Sequence, residues 1–263
     1  MKKYLVIGNP INHSLSPKLH NYWIKQNRLD AIYEKKKLNH NELEKLISEV
    51  RQENINGINV TVPLKNAVIP YLDELSDEAK KTQSVNTIYL KNKRVFGHNT
   101  DIEGFEIAMK KTSFNFINKK IFILGAGGVV PSIIYASMKM KFSQIYVSNR
   151  TIERAEKVKS IFDNIKLINW GEIPPFDVII NATSLGLNQE DKINIDFANI
   201  GKNKLFYDVI YNPAETNFLK SGKKSGNKCE NGKLMFIYQA FSAFKLWHGV
   251  EPIINDKIIK LLD

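Results

Sequence analysis

Hydrophobic positions recur along this chain with two periods, one of strands and one of helices. Apolar runs at residues 4–7, 31–38 and 55–62 predict strands, the last of them ending at Pro63. Between them, Leu19, Tyr22, Trp23 and Gln26 follow Ser16-Pro17 at helical spacing. Ser16 is the expected N-cap of that helix and Pro17 its first helical residue. Leu43, Leu46, Ile47 and Val50 mark one face of a second helix, with Asn41 as its expected cap. Runs at 87–90 and 95–98 flank Lys91-Asn92-Lys93 and predict a hairpin. From about Phe105 the pattern becomes a regular alternation. Strands are expected at 120–124, 144–148, 165–168, 177–180 and 205–209, and helices from a glycine turn to Met140 and at 152–162. Such alternation implies right-handed crossovers and a parallel sheet. Residues 187–204 carry no period and read as a surface loop. Residues 232–247, with Met235, Ile237, Phe241, Phe244, Leu246 and Trp247, predict a long helix that packs back on the first half.

The 263 residues suffice for one large domain or two modest ones, and 43% hydrophobic with 25% charged is ordinary for a globular protein. No apolar run approaches the roughly 18 residues of a membrane span. The N-terminal apolar stretch is too short for a signal peptide. The single cysteine, Cys229, allows no internal disulfide and fits a cytoplasmic location. It reads as a buried or edge-strand thiol rather than a nucleophile. The net charge of +11 raises nucleic acid as a partner. Scattered lysines beside Glu or Asp, without the aromatic interleaving of a single-strand groove, argue against it. A positive field still attracts anionic small molecules.

Candidate chemistry gathers in two places. Gly125-Ala126-Gly127-Gly128, with Val129, follows a strand and opens a helix, as a pyrophosphate-binding turn does. The third glycine of the G-x-G-x-x-G pattern is replaced by Val130, whose bulk calls for looser helix–strand packing, and Pro131 stands in the first helical turn. The next strand ends at Ser148-Asn149-Arg150-Thr151 with Arg154 one turn on, and no Asp or Glu is there to hold a ribose 2′-hydroxyl. Two guanidiniums suit a 2′-phosphate, so NADP is expected over NAD. The plain alternative is surface pairing of Arg150 and Arg154 with Glu153 and Glu156. Asn181-Ala182-Thr183-Ser184-x-Gly186 and Val209-Ile210-Tyr211-Asn212-Pro213 end later strands and are expected on the nicotinamide side. The second place is Asn59 to Lys65, where a lysine in a Thr/Pro-rich turn suggests a polyol site with a proton donor. Lys65 has a plain alternative as a solvated helix-start lysine, and Asp101 as a helix N-cap. His13, His20 and His98 fit no metal motif, and no metal is expected; His13 and His98 read as turn residues near the site.

Together these segments resemble shikimate dehydrogenases. The resemblance rests on Ser14-Leu-Ser16-Pro17, residues 57–65, Ser84-Val-Asn86-Thr87, residues 97–101, Gly125 to Gly128, Asn149-Arg150-Thr151, Asn181 to Ser184, Tyr211-Asn-Pro213 and the stretch from Gly232 through Met235 to Gln239. It implies an α/β protein with an N-terminal α/β substrate domain and a Rossmann-type, doubly wound parallel-sheet NADP domain, facing each other across a cleft. The expected domains are 1–104 with 238–263, and 105–237. The implied reaction is reversible NADPH-dependent reduction of 3-dehydroshikimate to shikimate, in aromatic amino-acid biosynthesis. By the resemblance Ser14 and Ser16 bind the substrate carboxylate, and Thr61, Asn86, Asp101, Tyr211 and Gln239 hold its hydroxyls or carboxylate. Lys65 is the acid/base, beside Asp101. The NADP pocket draws on Asp77, Gly125 to Val129, Asn149, Arg150, Thr151, Arg154, Thr183, Val209 and Gly232. Leu185 and Val209 replace methionines usual in the family, and Lys233-Leu234 a small, glycine-rich pair. Quinate or NAD use, and a non-catalytic dinucleotide-binding regulator, are the rival readings. Monomer and homodimer both fit.

Overall fold

The computed structural model describes residues 1–188, 190–197 and 200–262. The chain divides into two compact units, Met1–Gly104 with Ile237–Asp263, and Phe105–Phe236.

The first unit begins with β1 (Lys2–Gly8), α1 (Ser16–Gln26), β2 (Ala31–Lys37), α2 (Leu43–Arg51) and β3 (Gly57–Val60). It continues with β4 (Glu74–Leu75), α3 (Asp77–Thr82), β5 (Thr87–Lys91), β6 (Arg94–His98) and the start of α4 (Asp101–Lys111). Its mixed sheet has the order β2-β1-β3-β5-β6-β4. β1 runs parallel to β2 and β3, whereas β5 is antiparallel to β3 and β6. β3 is buried at all four positions, as a central strand covered on both faces must be. α2 buries Leu43, Leu46, Ile47 and Val50 against this sheet. At roughly 1.5–3 kcal/mol per buried aliphatic side chain, that stripe outweighs any helix propensity in the segment.

Three expectations change here. α1 is capped by the backbone of Leu15, so Ser16 is already helical and its hydroxyl is free for other work. Before α2 a single 3₁₀ turn, His40–Glu42, starts at Asn39, not Asn41, and the Glu42 carboxylate accepts the Asn39 N–H at 2.9 Å. The strand expected at 55–62 is only Gly57–Val60, because the chain turns away at Thr61 toward Pro63. The hairpin forms as expected, with Lys91 opposite Arg94 and a two-residue turn at Asn92 and Lys93.

The second unit contains β7 (Lys120–Leu124), α5 (Val130–Lys139), β8 (Gln144–Ser148), α6 (Ile152–Lys159), β9 (Ile165–Ile168) and β10 (Val178–Asn181). β11 (Leu205–Asp208), α7 (Asn217–Lys224), β12 (Lys228–Glu230) and the first residues of α8 (Lys233–His248) complete it. All its strand pairs are parallel, in the order β12-β11-β10-β7-β8-β9. Read from β9, this is the 3-2-1-4-5-6 order of a dinucleotide fold, which reverses between β7 and β10. Residues 187–204 hold no regular element among those described, but Ile195 and Phe197 are core residues, so the segment is not purely a surface loop. Gln189, Ala198 and Asn199 of that segment lie outside the described residues.

α8 and the short α9 (Asp256–Leu261) bring the C-terminus to the first unit. The Trp247 indole donates to the Ile88 carbonyl at 3.1 Å and lies 5.0 Å from the Tyr4 ring. Gly57 has no alternative here, since a Cβ would stand 2.4 Å from the Trp247 indole nitrogen.

Candidate active site

Lys65 lies in the turn after β3, and Asp101 opens α4. Thirty-six residues apart, they meet as a buried ion pair with Nζ 2.5 Å from Oδ2, the side chains only 8% and 9% exposed. Lys65 is therefore not a solvated surface lysine. The N-terminus of α4 favours a carboxylate at its first position. The other carboxylate oxygen, Oδ1, accepts the Asn86 amide at 2.9 Å. The same amide nitrogen lies 2.9 Å from the Thr100 hydroxyl and 3.5 Å from Gln239 Oε1 on α8.

A buried relay sets the direction of these groups. The Thr100 N–H donates to Asn86 Oδ1 at 2.7 Å, so the Asn86 nitrogen must face Asp101. The Thr87 hydroxyl donates to the same oxygen at 2.9 Å and accepts Asn59 Nδ2 at 3.1 Å. Asn59 Nδ2 also donates to the Asn86 carbonyl at 3.1 Å, which turns Asn59 Oδ1 toward the Tyr33 phenol, 2.7 Å away. Beneath it, His20 stacks on Tyr33 at 4.2 Å, fully buried and with neither ring nitrogen hydrogen-bonded. Burial pushes His20 down to about 3, so the platform is neutral. Burial likewise raises the Tyr33 phenol, which stays protonated as a donor.

The other expected substrate residues are placed as follows. Ser14 is half-buried, its hydroxyl accepting the Ser16 N–H at 3.3 Å. Thr61 takes the Ile7 carbonyl at 2.9 Å through its own N–H. Tyr211 belongs to the second unit and stacks on Phe236 at 4.6 Å. His13 is an exposed turn residue, whereas His98 is the last residue of β6 rather than a turn, its pKa lowered by burial. Among the described residues no group of His, Cys, Asp and Glu is arranged to hold a metal ion.

In the second unit Gly125 follows β7 with φ +117, and a Cβ there would stand 2.7 Å from the Ala182 carbonyl. That contact joins the two loops at the point where the sheet order reverses. A Cβ on Gly127 would meet nothing within 4 Å. The turn thus leaves open space before the first N–H groups of α5, where an anion fits. Val130 is fully buried, so its bulk packs into the interior. Arg150 and Arg154 are exposed, and among the described residues neither pairs with a carboxylate; the expected alternative, pairing with Glu153 and Glu156, is not seen. Asn149 Nδ2 donates to the Thr151 carbonyl at 2.7 Å, shaping the turn that presents both guanidiniums. These features fit an NADP pyrophosphate and 2′-phosphate. A Cβ on Gly232 would stand 2.1 Å from the Val209 carbonyl, so only glycine fits beside that strand end. Asp77 is exposed in the first turn of α3, 4.0 Å from Lys80. Cys229 lies on the edge strand β12 with its thiol pushed up to about 11 by burial, which makes it a poor nucleophile.

Tyr33 stands in no motif of the sequence, and Thr87 and Thr100 stand in motifs without an expected role, although the doublets Asn86-Thr87 and Asn99-Thr100 signal paired amides and hydroxyls. Nor does any motif mark Asp208, the buried last residue of β11.

Two family models match the chain. Residues 6–88 match the shikimate dehydrogenase substrate binding domain, and residues 106–209 match shikimate / quinate 5-dehydrogenase. The NADP(+) shikimate dehydrogenase of Pelagibacter ubique is 57% identical over 262 residues, covering 100% of this chain and 99% of its own. The crystal structure of shikimate dehydrogenase from Aquifex aeolicus superposes with a TM-score of 0.91 at 36% identity, covering 100% of this chain and 97% of that one. The Thermus thermophilus shikimate 5-dehydrogenase, solved with NADP(H) and shikimate, gives 0.90 at 30% identity, covering 100% and 98%.

Proposed function

Since the chain belongs to the shikimate dehydrogenase family, we propose that it catalyses the reversible NADPH-dependent reduction of 3-dehydroshikimate to shikimate. The observation that carries this reading is the buried Lys65–Asp101 pair, 2.5 Å apart, inside a network of amides and hydroxyls suited to a polyol. A non-catalytic dinucleotide binder has no use for such a pair, because burying two charges carries a desolvation cost that stability alone seldom justifies.

Residues 1–104 with 238–263 form the substrate-binding catalytic domain, and 105–237 the NADP domain. The cofactor, when bound, supplies hydride chemistry to the ketone carbon. The chain's part is the proton. Lys65 holds its ammonium group at the ketone oxygen, stabilises the negative charge that develops there, and gives up one proton to complete the alcohol. In the reverse direction it takes the hydroxyl proton. Positioned proton transfer of this kind contributes roughly 10²–10⁴-fold. Asp101 fixes the lysine's direction and, with Asn86, Thr61 and Gln239, receives ring hydroxyls. Ser14, Ser16 and Tyr211 recognise the carboxylate. In the second domain, Gly125 to Val129 cradle the pyrophosphate, and Asn149 to Arg154 hold the 2′-phosphate. Asp77, Thr183, Val209 and Gly232 line the rest. The net charge of +11 draws in these anionic ligands rather than nucleic acid. The protein acts in the cytoplasm, as monomer or homodimer.

Quinate is the rival substrate, because the second family model covers shikimate and quinate enzymes together. Initial rates with shikimate and quinate, each with NADP and NAD, decide the matter. Shikimate with NADP is expected to be the fastest of the four. Faster turnover of quinate, or of NAD, overturns the assignment, as does an absence of activity in all four.

A further inference from the structure

Asp208 is fully buried, yet among the described residues no cation reaches it. Each of its partners among the described residues is a neutral donor. Asn181 Nδ2 lies 3.1 Å from each carboxylate oxygen, the Ile210 N–H donates to Oδ1 at 3.0 Å, and the Thr216 hydroxyl donates to Oδ2 at 2.6 Å. The Asn181 orientation is not arbitrary. Its Oδ1 accepts the Thr183 N–H at 3.1 Å and the Thr183 hydroxyl at 2.7 Å, and its nitrogen also donates to the Leu185 carbonyl at 2.9 Å. Thr183 in turn accepts the Leu185 N–H at 3.0 Å. Thr216 caps α7, accepting the Leu219 N–H at 3.3 Å. A Cβ on Gly186 would stand 3.0 Å from the Thr216 methyl, so the loop after β10 presses against the start of α7.

Three segments therefore converge on one carboxylate: the loop after β10, the loop after β11 and the cap of α7. Each of the three offers a donor, and the two oxygens of a carboxylate accept all of them. We propose that Asp208 is a positioning residue for the NADP site, holding the loops that carry Thr183 and Val209 in the geometry the cofactor requires. The inference rests on the reading that this unit binds NADP. Asp208 itself touches no reacting atom.

Isothermal titration of the full-length protein with NADP, with steady-state kinetics and a thermal melt, tests it. Asp208→Asn keeps the shape but turns an amide nitrogen into a ring of donors, and Thr216→Val removes a single donor. Both variants are expected to bind NADP more weakly, by about tenfold for Asp208→Asn, the scale of one lost buried hydrogen bond. The shikimate KM, and kcat at saturating NADP, should stay at the wild-type values. Phe218→Leu, a core change in the same unit, is expected to lower the melting temperature without weakening NADP binding. Wild-type NADP affinity in Thr216→Val and in any folded Asp208→Asn overturns the proposal. Equal weakening in Phe218→Leu also overturns it, since the effect would then be general loosening. Failure of the wild-type protein to bind NADP sinks the underlying reading, and this inference with it.

Discussion

His20 shows how a single residue ties the substrate unit to pH. Burial depresses it to about 3 from 6.5, with His248 nearby adding to the effect. The native state therefore excludes a proton that the unfolded chain binds. The stability this confers is complete above about pH 6.5 and drains away as pH falls toward 3. His248, lowered to about 4 chiefly by burial, has the same sign. His20→Phe keeps an aromatic platform under Tyr33 but cannot titrate, so the loss of stability between pH 7.5 and 5 should shrink in denaturant unfolding. An unchanged loss would remove His20 from the account. The Lys65 and Asp101 candidates were legible in the chain because they stand in compact motifs. Tyr33 was not, since its bond to Asn59 joins residues 26 positions apart and no local pattern records it; Asn59 and Thr87 stand in motifs, but their bond across 28 positions is invisible in either one. Asp208 looked like an ordinary strand end; its burial is visible only once β10 and β11 are side by side.

Elements were legible in proportion to their length and period. The six strands of the parallel sheet include five that short apolar runs announce, whereas β12 has three residues and β4 two, too few to show any period. α7 is anchored by Phe218, Leu219 and Gly222, and Gly222 is there because a Cβ would stand 2.6 Å from the Phe206 ring. The hairpin turn places Asn92 and Lys93 at φ 51 and 62, a left-handed pair that suits asparagine better than lysine. Lys93→Gly should raise stability by about 0.5–1 kcal/mol in chemical denaturation, part of the left-handed cost being relieved; a loss would contradict the turn geometry. The glycine turn should respond in the opposite direction. Gly125→Ala forces a Cβ to within 2.7 Å of the Ala182 carbonyl at a φ of +117. It is expected to destabilise the second unit by roughly 1–3 kcal/mol and to abolish tight NADP binding, while shikimate binding to the first unit persists.

At the scale of the molecule, the two units carry buried groups that answer to mild acid with opposite signs. Asp208 is pushed up to about 6 by burial, against the pull of its hydrogen bonds. Its native state holds the proton more firmly than the unfolded chain does, so this group favours the second unit as pH falls from about 6 toward 3.8. The histidines weaken the first unit over an overlapping range. Hydrogen exchange at pH 7.5 and 5, corrected for intrinsic rates, should show protection falling in β1, β3 and α1 relative to β7, β10 and β11. Parallel loss in both units would contradict the assignment of the titrating groups. Our central proposal concerns one atom, the Lys65 Nζ, which we propose moves the proton that accompanies hydride transfer on shikimate. The direct measurement is the turnover of Lys65→Met, which keeps the aliphatic stem, beside calorimetric binding of shikimate to the same variant. Turnover is predicted to fall by about 10²–10⁴-fold with shikimate still bound, whereas near wild-type turnover, or intact chemistry with binding lost, would contradict the account.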